Sequence, residues 1–83
     1  MIKYNSNYMN YNEFKNFLEL MYNNYLENSE NWENNNLESF LEALIAITDD
    51  LDGFLIHNER KYNKNNPSWL TFADILSTAI IYE

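Results

Sequence analysis

From Tyr11 the apolar side chains fall at Tyr11, Phe14, Phe17, Leu18, Met21, Tyr22, Tyr25 and Leu26. Steps of three and four residues put them on one side of a 3.6-residue helix, which predicts an amphipathic helix near residues 11–27. Asn10 followed by Glu13 has the spacing of a capping box, with Asn supplying the oxygen for the first unpaired N–H groups. A second run, Leu37, Phe40, Leu41, Leu44, Ile47, Thr48 and Leu51, predicts the buried stripe of a helix near 36–52. Asn35 and Glu38 repeat the capping spacing at its start. Gly53, the only glycine, stands where a helix would end on a left-handed residue.

The third run is Trp69, Phe72, Ala73, Leu76, Ala79 and Ile80, predicting a helix near 67–82. Pro67 falls at its first position, where the missing N–H is not needed, with Asn66 as cap. Leu70, Ile75 and Ile81 widen the stripe and leave Thr71, Asp74 and Thr78 as the polar face, so this helix is expected to be the most buried.

The remaining segments have no clear period. Residues 1–9 read as a loosely ordered lead-in. Residues 27–36, "ENSENWENNN", read as a loop with one large anchor, Trp32. Phe54-Leu55-Ile56-His57 is too short to type and is a turn, an extended piece or a brief helix near 54–58. Residues 58–66 form a polar loop holding Arg60, Lys61 and Lys64. The expectation is a single all-α domain over residues 1–83, a bundle of three to four helices.

Composition narrows this picture. The chain has 83 residues, too few for two cores, and 46% are hydrophobic, with seven Tyr, five Phe and two Trp, which argues against a disordered chain. It has no Cys, so neither disulfides nor thiolate metal ligands contribute. The amino terminus lacks the apolar run and small-residue cleavage site of a secretory leader. Every apolar stretch is broken too soon to span a bilayer, and the expected location is the cytoplasm.

Charge changes the picture most. The net charge is −8, and between Lys15 and Arg60 there are ten acidic residues and no Lys or Arg. Such a field repels nucleic acid and anionic membranes and attracts basic protein surfaces. On the predicted second helix Glu38, Glu42, Asp49 and Asp52 lie opposite the apolar stripe, with Ile45 central, Asp50 beside them and Phe54 just beyond. An acidic field around a few apolar anchors is the pattern of a protein-binding face, because charge sets on-rate and specificity while anchors set affinity. The plainer account is a solvated helix side.

Other chemistry is thin. Counted from Thr48, Asp50, Asp52, Gly53, Leu55 and Glu59 occupy EF-hand positions 3, 5, 6, 8 and 12. Thr48 replaces the first carboxylate and Ile56 blocks position 9, which leaves a degenerate calcium loop over 48–59. His57 is the only histidine and has neither a Ser–His–Asp context nor a second metal-binding partner. The carboxylates fall on a predicted solvated face, not in a cleft that would raise a pKa. No enzyme and no cofactor are expected.

The residues also carry a resemblance. Trp32-Glu33-Asn34, Leu37, Phe40 to Ala43, Asp50, Asp52-Gly53-Phe54, Pro67 to Trp69, Phe72 to Leu76, Ala79 and Tyr82-Glu83 match the motifs of a family of small acidic bacterial proteins with no assigned activity. The similarity covers residues 12–83. The chain departs from it at Leu55, where an aromatic usually follows Phe54, and near Ile47, where a Trp is common. Size, charge and an acidic helix followed by Asp-Gly also resemble the acidic helical immunity proteins of nuclease colicins. That likeness implies a cytoplasmic protein that neutralises a basic toxin through Glu38, Glu42, Ile45, Asp49, Asp50, Asp52 and Phe54. The alternative is a structural or adaptor domain that self-associates, as a homodimer, through the Ile45 face.

Overall fold

The computed structural model describes residues 2–5, 7–53 and 64–82. Helix α1 spans Tyr11–Asn28 and runs into a single 3-10 turn, Ser29–Asn31. Helix α2 spans Leu37–Asp49 and α3 spans Trp69–Ile81. No strand occurs among the described residues, and the protein is a small all-α bundle. The segment expected near 54–58, with Phe54, His57 and the bases Arg60 and Lys61, lies outside the described residues.

The helix starts show which polar groups win the competition for unpaired N–H donors. At α1 the expected box forms: Asn10 Oδ1 accepts from the Glu13 N–H at 2.8 Å, and Glu13 Oε1 accepts from the Asn10 N–H at 3.1 Å. At α2 the cap is Asn36, not Asn35, and its oxygen accepts from the Ser39 N–H at 2.9 Å. Asn35 instead donates its amide to the Ser29 carbonyl, holding the loop. At α3 the cap is Ser68, not Asn66. Ser68 and Thr71 form a reciprocal box, so Pro67 precedes the cap instead of opening the helix.

The end of α2 also differs from the sequence reading. The helix stops at Asp49, Asp50 forms the C-cap, and residues 51–53 are again helical. Gly53 is therefore not a left-handed stop. It is a close approach: a Cβ there would come within 2.8 Å of Asp50 Oδ1, so glycine leaves room for that carboxylate.

Helix α3 is the centre of the fold. Both α1 and α2 pack against it, and they make no close backbone approach to each other. Phe17, Ala73 and Ile80, with Ile2, Met9 and Trp32, form one core cluster; Ala43, Ile47 and Ala79 form a second, and Phe40 packs against both. Ala43 and Ala79 both belong to the buried cluster at the α2–α3 contact, where small side chains let helices pack closely. The molecule measures 33 × 27 × 17 Å. Its short axis is less than two helix diameters, each about 10–12 Å. That thinness explains why Phe17 and Ile47 are the only large side chains wholly removed from solvent among the described residues.

Burial corrects three assignments. On α2 the inward row is Phe40, Ala43, Leu44 and Ile47, whereas Leu37, Leu41 and Thr48, expected inside, are exposed. On α1 the inward row is Phe14, Phe17, Met21, Asn24 and Asn28, so Tyr11, Leu18, Tyr22, Tyr25 and Leu26 lie outside it. On α3, with five buried residues, Thr71 and Asp74 are buried and Trp69 and Phe72 are partly exposed. The hydroxyl of Tyr4 reverses the polarity expected there: it donates to Asp74 Oδ1 at 2.6 Å and lies 3.0 Å from Ser77 Oγ.

Residues 2–5 and 7–10 have no helix, and several of their side chains are seated on the bundle. Ile2 and Met9 are buried, and the Tyr4 ring stands edge-on to Phe17 at 5.2 Å. Each side chain anchors separately, which leaves no period to read. Trp32 is the anchor the sequence indicates. It is buried, donates its indole N–H to Asn24 at 2.7 Å, and packs against Tyr25 and Phe40.

Candidate interaction surface

Positions 38, 42, 45 and 49 recur at intervals of four, three and four, which puts their side chains along one side of α2. Glu38, Glu42, Ile45 and Asp49 are all exposed there, Ile45 with 64% of its surface in solvent. This is the side turned away from Ala43 and Ile47, and therefore from α3. Asp50 is exposed at the turn and lies over Gly53. Asp52 points elsewhere: Oδ2 pairs with Lys64 Nζ at 3.0 Å, both half exposed, so part of its charge serves the loop. Phe54, the remaining predicted member, lies outside the described residues.

Asp49 occupies the last turn of α2, which has no basic residue. The carbonyl end of a helix carries partial negative charge, so an exposed carboxylate there is locally unfavourable, by about 0.3–1 kcal/mol at low salt. Glu38 in the first turn is favourably placed by the same reasoning. The acidic row thus runs along the helix without regard to its dipole, at some cost to the isolated domain.

An apolar feature borders this row. Leu37, Leu41 and Ile45 follow one another at four-residue steps and are all exposed, Leu37 by 73%. Leu37 also forms one lip of a groove of about 370 Å³ between α2 and the carboxyl-terminal half of α1. Leu18, Tyr22 and Tyr25 form the opposite wall, and Trp32 and Phe40 line it between them. The groove exists because α1 and α2 both lean on α3 and not on each other. The loop beneath it is fixed from the far side: the Asn34 amide donates to the carbonyls of Ala79 (2.8 Å) and Tyr82 (2.6 Å), and its N–H donates to Ile80 (3.1 Å).

Sequence reasoning placed the groove residues Leu18, Tyr22, Tyr25 and Leu37 in the core. The available signal was their surplus: an arc of apolar positions wider than one packing partner can cover. The calcium pattern fares differently. Thr48 and Asp49 are helical, the Thr48 hydroxyl donates to the Leu44 carbonyl at 2.7 Å, and residues 51–53 are helical too. The six residues that would open such a loop are thus helix except at Asp50, and residues 54–59 lie outside the described residues. Among the described residues no group of three or more His, Cys, Asp or Glu could hold a metal ion, and no helix is long and apolar enough to cross a membrane.

Comparison with curated proteins and with solved structures gives no match. A family model matches residues 10–83, nearly all of the chain, and the chain belongs to a family of unknown function, DUF7660.

Proposed function

We propose that this is a small acidic binding protein of the cytoplasm, an immunity or inhibitor protein that neutralises a basic toxin with the exposed face of α2. The observation that carries the reading is the row Glu38, Glu42 and Asp49 around exposed Ile45, on the side of α2 that no other described element covers. Charge of one sign around an apolar anchor suits rapid, selective capture of a basic surface. An acidic row that continues into the unfavourable end of the helix suits a face shaped by a partner, because it does nothing for the isolated fold.

Co-expression with the product of the adjacent reading frame tests the reading. The expected result is a basic protein that co-purifies with this chain and arrests growth when expressed alone. A neighbour that is not basic, not toxic and not bound would overturn it. The exposed Leu37–Leu41–Ile45 row also favours a second reading, a self-associating adaptor domain. Sedimentation across a range of concentrations separates the two, because that reading requires a dimer and ours a monomer.

A further inference from the structure

The acidic row explains steering but leaves the neighbouring groove without an occupant. The residues that build it, 18–40, include Glu19, Glu27, Glu30, Glu33 and Glu38 and no Lys, Arg or His. All five of these glutamates are exposed. A second copy of the chain would bring the same five carboxylates against them, in a molecule already at −8, which disfavours self-docking. A cationic partner meets no such opposition.

The shape narrows the occupant further. At about 370 Å³ the groove is at the small end of ligand-sized clefts, roughly 300–1,000 Å³, so it takes anchor side chains and not a helix backbone. Its walls are helical rows: Leu18, Tyr22 and Tyr25 at four- and three-residue steps on α1, and Leu37 and Phe40 at a three-residue step on α2. A ridge of side chains from a third helix, repeating at the same three- and four-residue steps, fits between two such rows.

We propose that this groove receives one amphipathic helix of a basic partner, with apolar anchors at i, i+3 or i+4, and i+7 lying between Tyr22 and Leu37 and with Lys or Arg on its flanks. The aromatic lining supplies affinity, since Tyr and Trp in partly desolvated pockets dominate binding energy, and the glutamates supply orientation. Because α1 and α2 do not lean on each other, the partner helix bridges them and completes the bundle on its open side. The inference rests on the proposed basic partner but adds a site of its own, and the two are tested separately.

Trp32 and Trp69 are the only tryptophans, and Trp32 lines the groove. A Trp69→Phe chain, shown by circular dichroism to keep its fold, therefore carries one tryptophan, and that one lines the groove. It is titrated with a synthetic amphipathic Leu/Lys helix, with a scrambled peptide of the same composition, and with a Leu/Glu helix of the same pattern. The expected result is a saturable change in Trp32 emission with the Leu/Lys helix, and at least tenfold weaker binding of both other peptides. Tyr22→Ser and Leu37→Glu, at side chains already in solvent, are expected to weaken the Leu/Lys helix at least tenfold with the fold unchanged. Equal binding of the scrambled peptide would overturn the groove and leave the acidic-face reading intact. Equal binding of the Leu/Glu helix, no response at all, or a stable dimer occluding Trp32 would each overturn the proposal.

Discussion

Replacing Tyr4 with Phe keeps the ring that packs edge-on to Phe17 and removes only the hydroxyl. That hydroxyl donates to Asp74 at 2.6 Å, the separation typical of a hydroxyl bound to a carboxylate, and also contacts Ser77. Asp74 is only 4% exposed, so water does not replace the lost donor. Hydrogen bonds to charged groups contribute about 1.5–3 kcal/mol. Removing the hydroxyl bond alone does not leave Asp74 without any partner, and the expected loss is about 1–2 kcal/mol. In a domain of this size each kcal/mol lowers Tm by about 4–8 °C, so a fall on the order of 5–15 °C is expected. Urea unfolding followed by far-ultraviolet circular dichroism measures the same quantity as a lower midpoint at constant slope. A double-mutant cycle with Asp74→Asn should show coupling above about 0.5 kcal/mol. If Tyr4→Phe costs less than about 0.3 kcal/mol, the amino-terminal segment does not brace α3 and the reasoning is wrong.

Three further outcomes follow from the packing and the caps. Asn34→Ala removes two donors to the end of α3 and should cost about 1–2 kcal/mol; Asn34→Asp should cost more, since it turns an acceptor toward two carbonyls, and the ranking is read from the same urea curves. Ala79→Leu forces a large side chain into the buried cluster between α2 and α3 and should cost about 1–3 kcal/mol or more; a Tm equal to the parent's would refute close α2–α3 packing. Asp49→Asn removes an adverse charge from the end of α2 and should raise stability by a few tenths of a kcal/mol at low salt, the gain fading as salt is added, and a clear loss of stability would show that Asp49 supports the fold.

The sequence announces an element wherever one local rule acts alone. Asn10 and Glu13 form their box because no neighbour offers a better oxygen. The other starts slide by one or two residues because Asn36 and Ser68 compete with Asn35 and Asn66, and partners decide such contests: Ser39 for one, Thr71 for the other. Periodicity finds helices but not which arc faces inward when apolar residues exceed one face. Alanines 43 and 79 settle that for α2 by allowing close approach, which a scale that rewards large side chains does not see. The buried Asp74 depends on a partner seventy residues away in sequence, Tyr4, and no local pattern signals it. The acidic row is legible because its positions are fixed by spacing and charge alone. The groove is not, because it arises from the separation of two helices over a third.

The most direct test of the acidic face is the association of this chain with the product of the adjacent reading frame, measured from low salt to about 0.5 M. The account predicts that association weakens steeply with salt. It also predicts that the Glu42→Lys, Asp49→Lys double change weakens it at least tenfold at low salt and flattens that dependence, with Tm preserved. Equal affinity and equal salt dependence for the parent and the double variant would contradict it.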